Sequence, residues 1–120
     1  QQRLTDDKSI YLQISQMIET DILRGILLEE ERVPSTNELA KLYTINPATA
    51  AKGVNILVDD GILYKKRGIG MFVSTGAVEK IRGRRKQNFY EVRLAELLQE
   101  AKSLGITKDE LIQQIEKEEK

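Results

Sequence analysis

The stretch PSTNELAKLYTINPATAAKG, residues 34–53, constrains the fold more than any other. It holds two helix-start signals with a short break between them. Ser35 and Glu38 form a capping box after Pro34, in which the Ser35 side chain accepts from a backbone N–H and Glu38 reaches back to the Ser35 N–H. A short helix over 36–43 is expected to follow and to bury Leu39, Ala40, Leu42 and Tyr43. Thr44, Ile45 and Asn46 break it. Asn46 is then a good N-cap and Pro47 a good first helical residue, because proline has no N–H to leave unpaired there and its φ is already helical. The next helix should run to about Val58, with Ala50, Gly53, Val54 and Leu57 on one face. Gly53 in a helix interior costs about 1 kcal/mol against Ala. The expected return is close backbone approach to the helix before it. Two short helices joined by so brief a break suit a helix-turn-helix.

The flanks complete a small domain. Ile10, Ile14, Ile18 and Ile22 stand four apart, with Tyr11 and Met17 beside them, so 10–24 reads as a helix ended by Gly25. ILLEEERVP reads as a connector, acidic at its centre. ILYKK and MFVST are short strand-forming runs around Arg67–Gly70, which makes a β-hairpin with a basic tip. After Gly76, residues 77–104 contain no proline and one glycine, and Tyr90, Leu94, Leu97, Leu98, Ala101 and Leu104 recur at helical spacing with Phe89 adding breadth. Gly105 should stop that helix. Thr107 and Glu110 form a second capping box, opening a last helix with Leu111, Ile112 and Ile115 inward.

The 120 residues carry no net charge, yet the charges are segregated. Residues 1–64 hold 6 Lys/Arg against 10 Asp/Glu, residues 65–93 hold 9 against 2, and residues 94–120 hold 4 against 7. A field acts where its charges sit, so the central segment reads either as a solvated face or as a polyanion-binding surface. With no cysteine and no histidine, disulfides, Cys/His zinc sites, Ser-His triads and Cys-His dyads are excluded together. No apolar run is long enough to span a membrane. The N-terminus has no signal-peptide h-region, and its lack of Met leads us to expect a trimmed or partial chain. A cytoplasmic location and no cofactor are expected.

In a helix-turn-helix the second helix lies in the major groove with its N-terminal residues at base edges. Here its outward face is Ala48, Ala51, Lys52 and Asn55, with Thr49 at the flank. A cationic hairpin tip of Lys65, Lys66 and Arg67 can reach phosphates or the minor groove beside it, and Gly68 and Gly70 permit a tight tip. Taken alone, the hairpin also fits an ordinary turn with Lys and Arg for solubility. A dinucleotide reading of Gly-x-Gly fails, because position 73 is Val and no helix opens after Gly70. Glu29, Glu30 and Glu31 read as a solvated acidic connector rather than a metal cluster, since consecutive loop residues rarely converge on one ion.

IYLQISQMIETDILRGIL, followed by VPSTNELAKLYTINPATAAKGVNILVDDGILYKKRGIGMFV, resembles the winged helix-turn-helix of the GntR family of bacterial transcription regulators. The resemblance covers about residues 9–74. It rests on Ile10, Tyr11, Gln13, Ile14, Gly25, Leu27, Pro34, Ser35, Leu39, Ala40, Asn46, Thr49, Lys52, Gly61, Gly68, Gly70, Phe72 and Val73. The departures are Asn37 for a DNA-contacting Arg, Val33 for Leu, Glu30 for a loop Gly, Ala50 for Val and Gly53 for Ala. Most members carry a large effector domain, whereas only residues 76–120 follow the wing here, which resembles the short YtrA-type subfamily with dimerising C-terminal helices.

The chain therefore reads as mainly α with a small β-hairpin. Residues 1–75 form a winged helix-turn-helix DNA-binding domain, and residues 76–120 a helical dimerisation segment. It is expected to be a repressor, not an enzyme, binding a palindromic operator in double-stranded DNA as a homodimer. Ser35, Thr36, Asn37, Asn46, Ala48, Thr49, Lys52, Asn55, Lys66, Arg67, Gly68 and Gly70 are the expected DNA contacts. Phe89, Tyr90, Leu94, Leu97, Leu98, Ala101, Leu104, Leu111, Ile112 and Ile115 are the expected dimer contacts. The basic cluster Lys80, Arg82, Arg84, Arg85 and Lys86 reads equally as phosphate-binding or solvated. A winged-helix module for protein–protein contact is the alternative, and a cleft between protomers is where an effector of unspecified identity would fit.

Overall fold

The computed structural model describes residues 9–119. Helix α1 (Ile10–Leu23) turns Ile14, Ile18 and Ile22 into the core, and Ile10 is half-buried. Helix α2 (Thr36–Tyr43) opens on the capping box: Ser35 Oγ accepts from the Glu38 N–H at 3.1 Å, and Glu38 Oε1 accepts from the Ser35 N–H at 2.8 Å. Helix α3 (Pro47–Asp59) opens on Asn46, whose Oδ1 accepts from the Ala48 N–H at 2.7 Å. Ala50, Gly53, Val54 and Leu57 are buried as their spacing requires. Leu42 is exposed, contrary to expectation. The buried stripe of α2 is Leu39 and Ala40 with Tyr43 beside them, and helical periodicity carries Leu42 out of it.

The close approach at Gly53 is made to α1 rather than to α2. A Cβ built there would stand 2.5 Å from the Tyr11 carbonyl oxygen and 3.1 Å from Ile14 Cβ. The buried Ser15 hydroxyl donates to the Gly53 carbonyl across the same contact. That carbonyl sits mid-helix, so the hydroxyl uses its second lone pair and is itself satisfied in the core.

The sheet has three strands, not the two of a hairpin. β1 (Arg32–Val33), β2 (Leu63–Lys66) and β3 (Gly70–Val73) run antiparallel in the order β1-β3-β2. Arg32 stands opposite Phe72 and Val33 opposite Met71. Part of the expected connector is thus an edge strand, and it is too short to show a period of two. Val33, Leu63, Met71 and Val73 face the helices and complete the core. Burying one such side chain is worth about 1.5–3 kcal/mol.

Helix α4 (Ala77–Asn88) continues into a π-helical turn (Phe89–Leu94), α5 (Ala95–Ser103) and, after a second capping box at Thr107, α6 (Lys108–Glu118). The long helix expected over 77–104 is therefore not uniform. A π turn is wider than an α turn and advances the phase of the side chains that follow it. The chain divides into two compact units, one ending at Arg82 and one starting at Gly83. The division falls inside α4 rather than after residue 75, because Ala77 and Ile81 are buried in the core of the first unit. In the second unit Ala101 is buried and Leu94 and Leu111 are half-buried, while Phe89, Tyr90, Leu97, Leu98, Leu104, Ile112 and Ile115 are exposed. Ile112 and Ile115, expected inward, are thus uncovered within one chain, since so small a unit offers little to cover two apolar helix stripes.

Replacing Gly53 by Ala recovers about 1 kcal/mol of helix propensity but forces α1 and α3 apart, and overpacking of this kind costs about 1–3 kcal/mol or more. We expect Gly53→Ala to unfold at lower urea than wild type with an unchanged slope. A midpoint equal to or above wild type would show that parting the two helices costs no more than the propensity recovered, about 1 kcal/mol.

Candidate nucleic-acid interface

With one side of α3 buried, the helical period turns Ala48, Lys52 and Asn55 to solvent, and Thr49 and Ala51 are half-buried at the flanks. This face is held from both sides. The Lys52 ammonium lies 4.1 Å from the centre of the Tyr11 ring on α1. Asn55 Oδ1 accepts from Lys65 Nζ at 3.3 Å, which ties α3 to the wing. Asn55 keeps both amide N–H donors for a ligand, and the Lys65 ammonium keeps two of its three. The sequence pattern showed neither partner, because Tyr11 lies far from α3 in the chain and Lys65 reaches Asn55 only once the chain has turned back at Gly61.

The wing is β2, β3 and their turn. Tyr64 stands opposite Phe72, Lys65 opposite Met71 and Lys66 opposite Gly70. Strand alternation sends Lys65 toward α3 and Lys66 to the other face. There Lys66 Nζ lies 4.8 Å from the centre of the Phe72 ring, and Phe72 stacks on Tyr64 with centroids 5.8 Å apart. The Ile69 N–H closes the tip onto the Lys66 carbonyl at 2.9 Å. Gly68, at φ 78°, is the left-handed residue that a turn of this kind needs at its third position. Arg67 is exposed at the tip.

At the start of α2, Thr36 is half-buried and Asn37 exposed. The Ser35 N–H and Oγ lone pair are committed to Glu38, and Asn46 Oδ1 to Ala48, so these two expected contacts serve first as helix caps. Within the basic cluster, Lys80 Nζ donates to the Asp60 carbonyl at 3.3 Å, at the C-terminal end of α3, and Arg82 pairs with Glu79.

The glutamates are not a merely solvated run. Glu29 accepts from the Gly76 N–H at 3.0 Å and the Val78 N–H at 3.1 Å, holding the start of α4. Glu30 accepts from the hydroxyls of Tyr64 and Thr75 and so clamps both ends of the wing. Its φ of 69° is a left-handed value uncommon for a residue with a side chain, at the point where the resembling family has glycine. Glu31 Oε1 accepts from the Leu28 N–H at 2.9 Å.

An exposed polar helix face, a capped helix before it and a basic two-stranded wing define a winged helix-turn-helix protein of the DNA-binding kind. Residues 10–73 match the profile of bacterial regulatory proteins, gntR family, and the chain belongs to that family. It is 31% identical over 103 residues to the HTH-type transcriptional repressor YtrA of Bacillus subtilis (strain 168), covering 85% of this chain and 78% of that one. The chain is therefore a YtrA-like member, and its relatives are regulators rather than enzymes. A GntR family transcriptional regulator from Listeria monocytogenes superposes with a TM-score of 0.79 at 28% identity, covering 95% of this chain and 98% of that one. The AraR DNA-binding domain in complex with operator ORR3 superposes with a TM-score of 0.53 at 30% identity, covering 62% of this chain and 92% of that one. Against other curated relatives the chain spans much less, 18% of one and 29% of two more.

The hydroxyls of Thr75 and then Tyr64 hold the Glu30 carboxyl below the usual carboxylate range, and the N–H groups of Gly76 and Val78 do the same for Glu29. A carboxyl with a lowered folded pKa stabilises the fold above its unfolded pKa and loses that contribution as pH falls through the folded value. Stability should thus be level near neutrality and decline as pH passes below 4.5. Glu29→Gln with Glu30→Gln should weaken the fold at neutral pH and flatten part of the acid decline. Urea midpoints across that range test this. A double variant with the wild-type acid slope would place the titrating groups elsewhere.

Proposed function

We propose that this chain is a transcription repressor of the bacterial cytoplasm that binds a palindromic operator as a homodimer. The observation that carries the reading is the outward face of α3, polar, exposed and held between Tyr11 and the basic wing. The AraR domain, of the same fold, is bound to an operator, and the relative YtrA is a repressor. In this reading Ala48, Thr49, Lys52 and Asn55 enter the major groove. Lys66, Arg67, Gly68 and Gly70 meet phosphate or the minor groove, and Thr36 and Asn37, beside the caps Ser35 and Asn46, meet the backbone.

Dimerisation is supported by the second unit. Phe89, Tyr90, Leu97, Leu98, Leu104, Ile112 and Ile115 are large apolar side chains that one chain leaves in water. A second copy, with the half-buried Leu94 and Leu111 adding area, covers them through a two-fold interface, whereas Ala101, expected as a dimer contact, is already buried within the one chain. Two equivalent recognition helices then call for a symmetric site.

Selection of bound duplexes from a random pool tests both parts. Wild type should recover a palindrome with half-site centres about 10 bp apart. The Leu94→Asp, Leu98→Asp variant, which places unpaired charge in an apolar interface, should sediment as a monomer and recover single half-sites. A palindrome recovered by a variant that remains dimeric would place the interface elsewhere, and no enriched sequence from wild type would sink the reading as a specific DNA binder.

A further inference from the structure

The connector expected to be merely acidic contains a cation that the sequence pattern did not single out. Arg32 stands opposite Phe72, so its side chain shares a sheet face with Phe72 and with Gly70, two residues along β3. It lies against the Gly70 backbone: a Cβ built at Gly70 would stand 2.7 Å from Arg32 Nε. Glycine at 70 therefore does two things, adopting a φ of 146° and leaving room for the arginine to cross the strand.

Beyond Gly70 a cleft of about 420 Å³ opens between the wing and the start of α2. Arg32, Lys65, Lys66 and Arg67 line it, Ser35 and Thr36 contribute to its lining as well, and no carboxylate does. The nearby acids stay outside the lining: Glu30 is held by Tyr64 and Thr75, though close enough to Lys66 to feel its charge, and Glu38 is held by the Ser35 N–H. Arg32 is close enough to Glu38 to help keep it ionised, but among the described residues no carboxylate reaches Arg32 within ion-pair distance. Four basic residues thus line an open cleft with no carboxylate in its lining. The Lys65 ammonium is bonded to Asn55 and the Lys66 ammonium lies over Phe72, so Arg32 and Arg67 are the cations of the lining without such a partner among the described residues, and the local positive field favours an anion there.

We propose that this cleft grips a backbone phosphate of bound DNA, and that Arg32 supplies a guanidinium on the α2 side of the interface, where Asn37 carries none. The proposal rests on the DNA-binding reading above. A phosphodiester rather than a base edge is the fitting ligand. The guanidinium fork matches phosphate oxygens, and no residue of α3 lines the cleft.

The test is the salt dependence of binding to a random-sequence duplex. Each phosphate contact contributes about 0.9 to the slope of log K against log salt. With both protomers engaged, Arg32→Ala should lower the magnitude of that slope by about 1.8, so that a fourfold rise in salt weakens it about 12-fold less than wild type. Arg32→Lys keeps a charge on a similar stem and should retain most of the slope. Both variants should melt with wild type, since the Arg32 side chain is exposed. An unchanged slope in Arg32→Ala overturns the proposal, and so does a loss confined to operator preference, which would make Arg32 a base reader. If wild type binds no duplex at all, the DNA-binding reading falls and takes this proposal with it.

Discussion

The contact between α1 and α3 at Gly53 is the constraint on which the first unit depends. A helix backbone can come this close to another only where a side chain is missing, and the Ser15 hydroxyl then bonds directly to the Gly53 carbonyl. The approach brings Ile14, Ile18 and Ile22 over Ala50, Val54 and Leu57, so the core closes around a glycine that is a poor helix former on its own. It also sets the rotation of α3. With Gly53 turned to α1, Ala48 and Asn55 fall on the far face of α3, and Lys52 falls on its flank, where Tyr11 is brought beside it. A packing requirement in the core thereby decides which side chains a groove would meet.

The wing is the second fixed part, and its attachment is electrostatic as much as apolar. Val33, Leu63, Met71 and Val73 bury its inner face. Glu30 binds hydroxyls on β2 and just past β3, while Glu29 holds the start of α4, so the strands cannot slide without breaking charged hydrogen bonds. These acids direct their charge at the base of the wing and the start of α4. The cations of the wing are left facing solvent, which reconciles a chain of zero net charge with a locally basic surface.

What the sequence shows well is what neighbours in the chain decide. The Ser35–Glu38 and Thr107–Glu110 boxes, the Asn46–Pro47 start and the isoleucine spacing of α1 all depend on residues within a turn or two, and each stands where the pattern placed it. The two-residue strand β1 is too short for any period to register, and Arg32 was hidden with it among glutamates. Gly53 announced a close approach but not the partner, because α1 and α2 both precede it. The pairs Tyr11–Lys52 and Lys65–Asn55 exist only once the core has formed. Leu42 shows the limit of composition: an apolar residue in an amphipathic helix still needs the right phase to be buried.

If α3 reads sequence and the wing anchors, the two should separate in one quantity, the ratio of operator affinity to random-duplex affinity. Measured for Asn55→Ala and Arg67→Ala on both DNAs at several salt concentrations, the ratio should fall for Asn55→Ala by about 1–3 kcal/mol in free-energy terms. For Arg67→Ala it should hold, with affinity lost alike on both. An Arg67 variant that loses operator preference while the Asn55 variant keeps it would contradict this division and make the wing the reader.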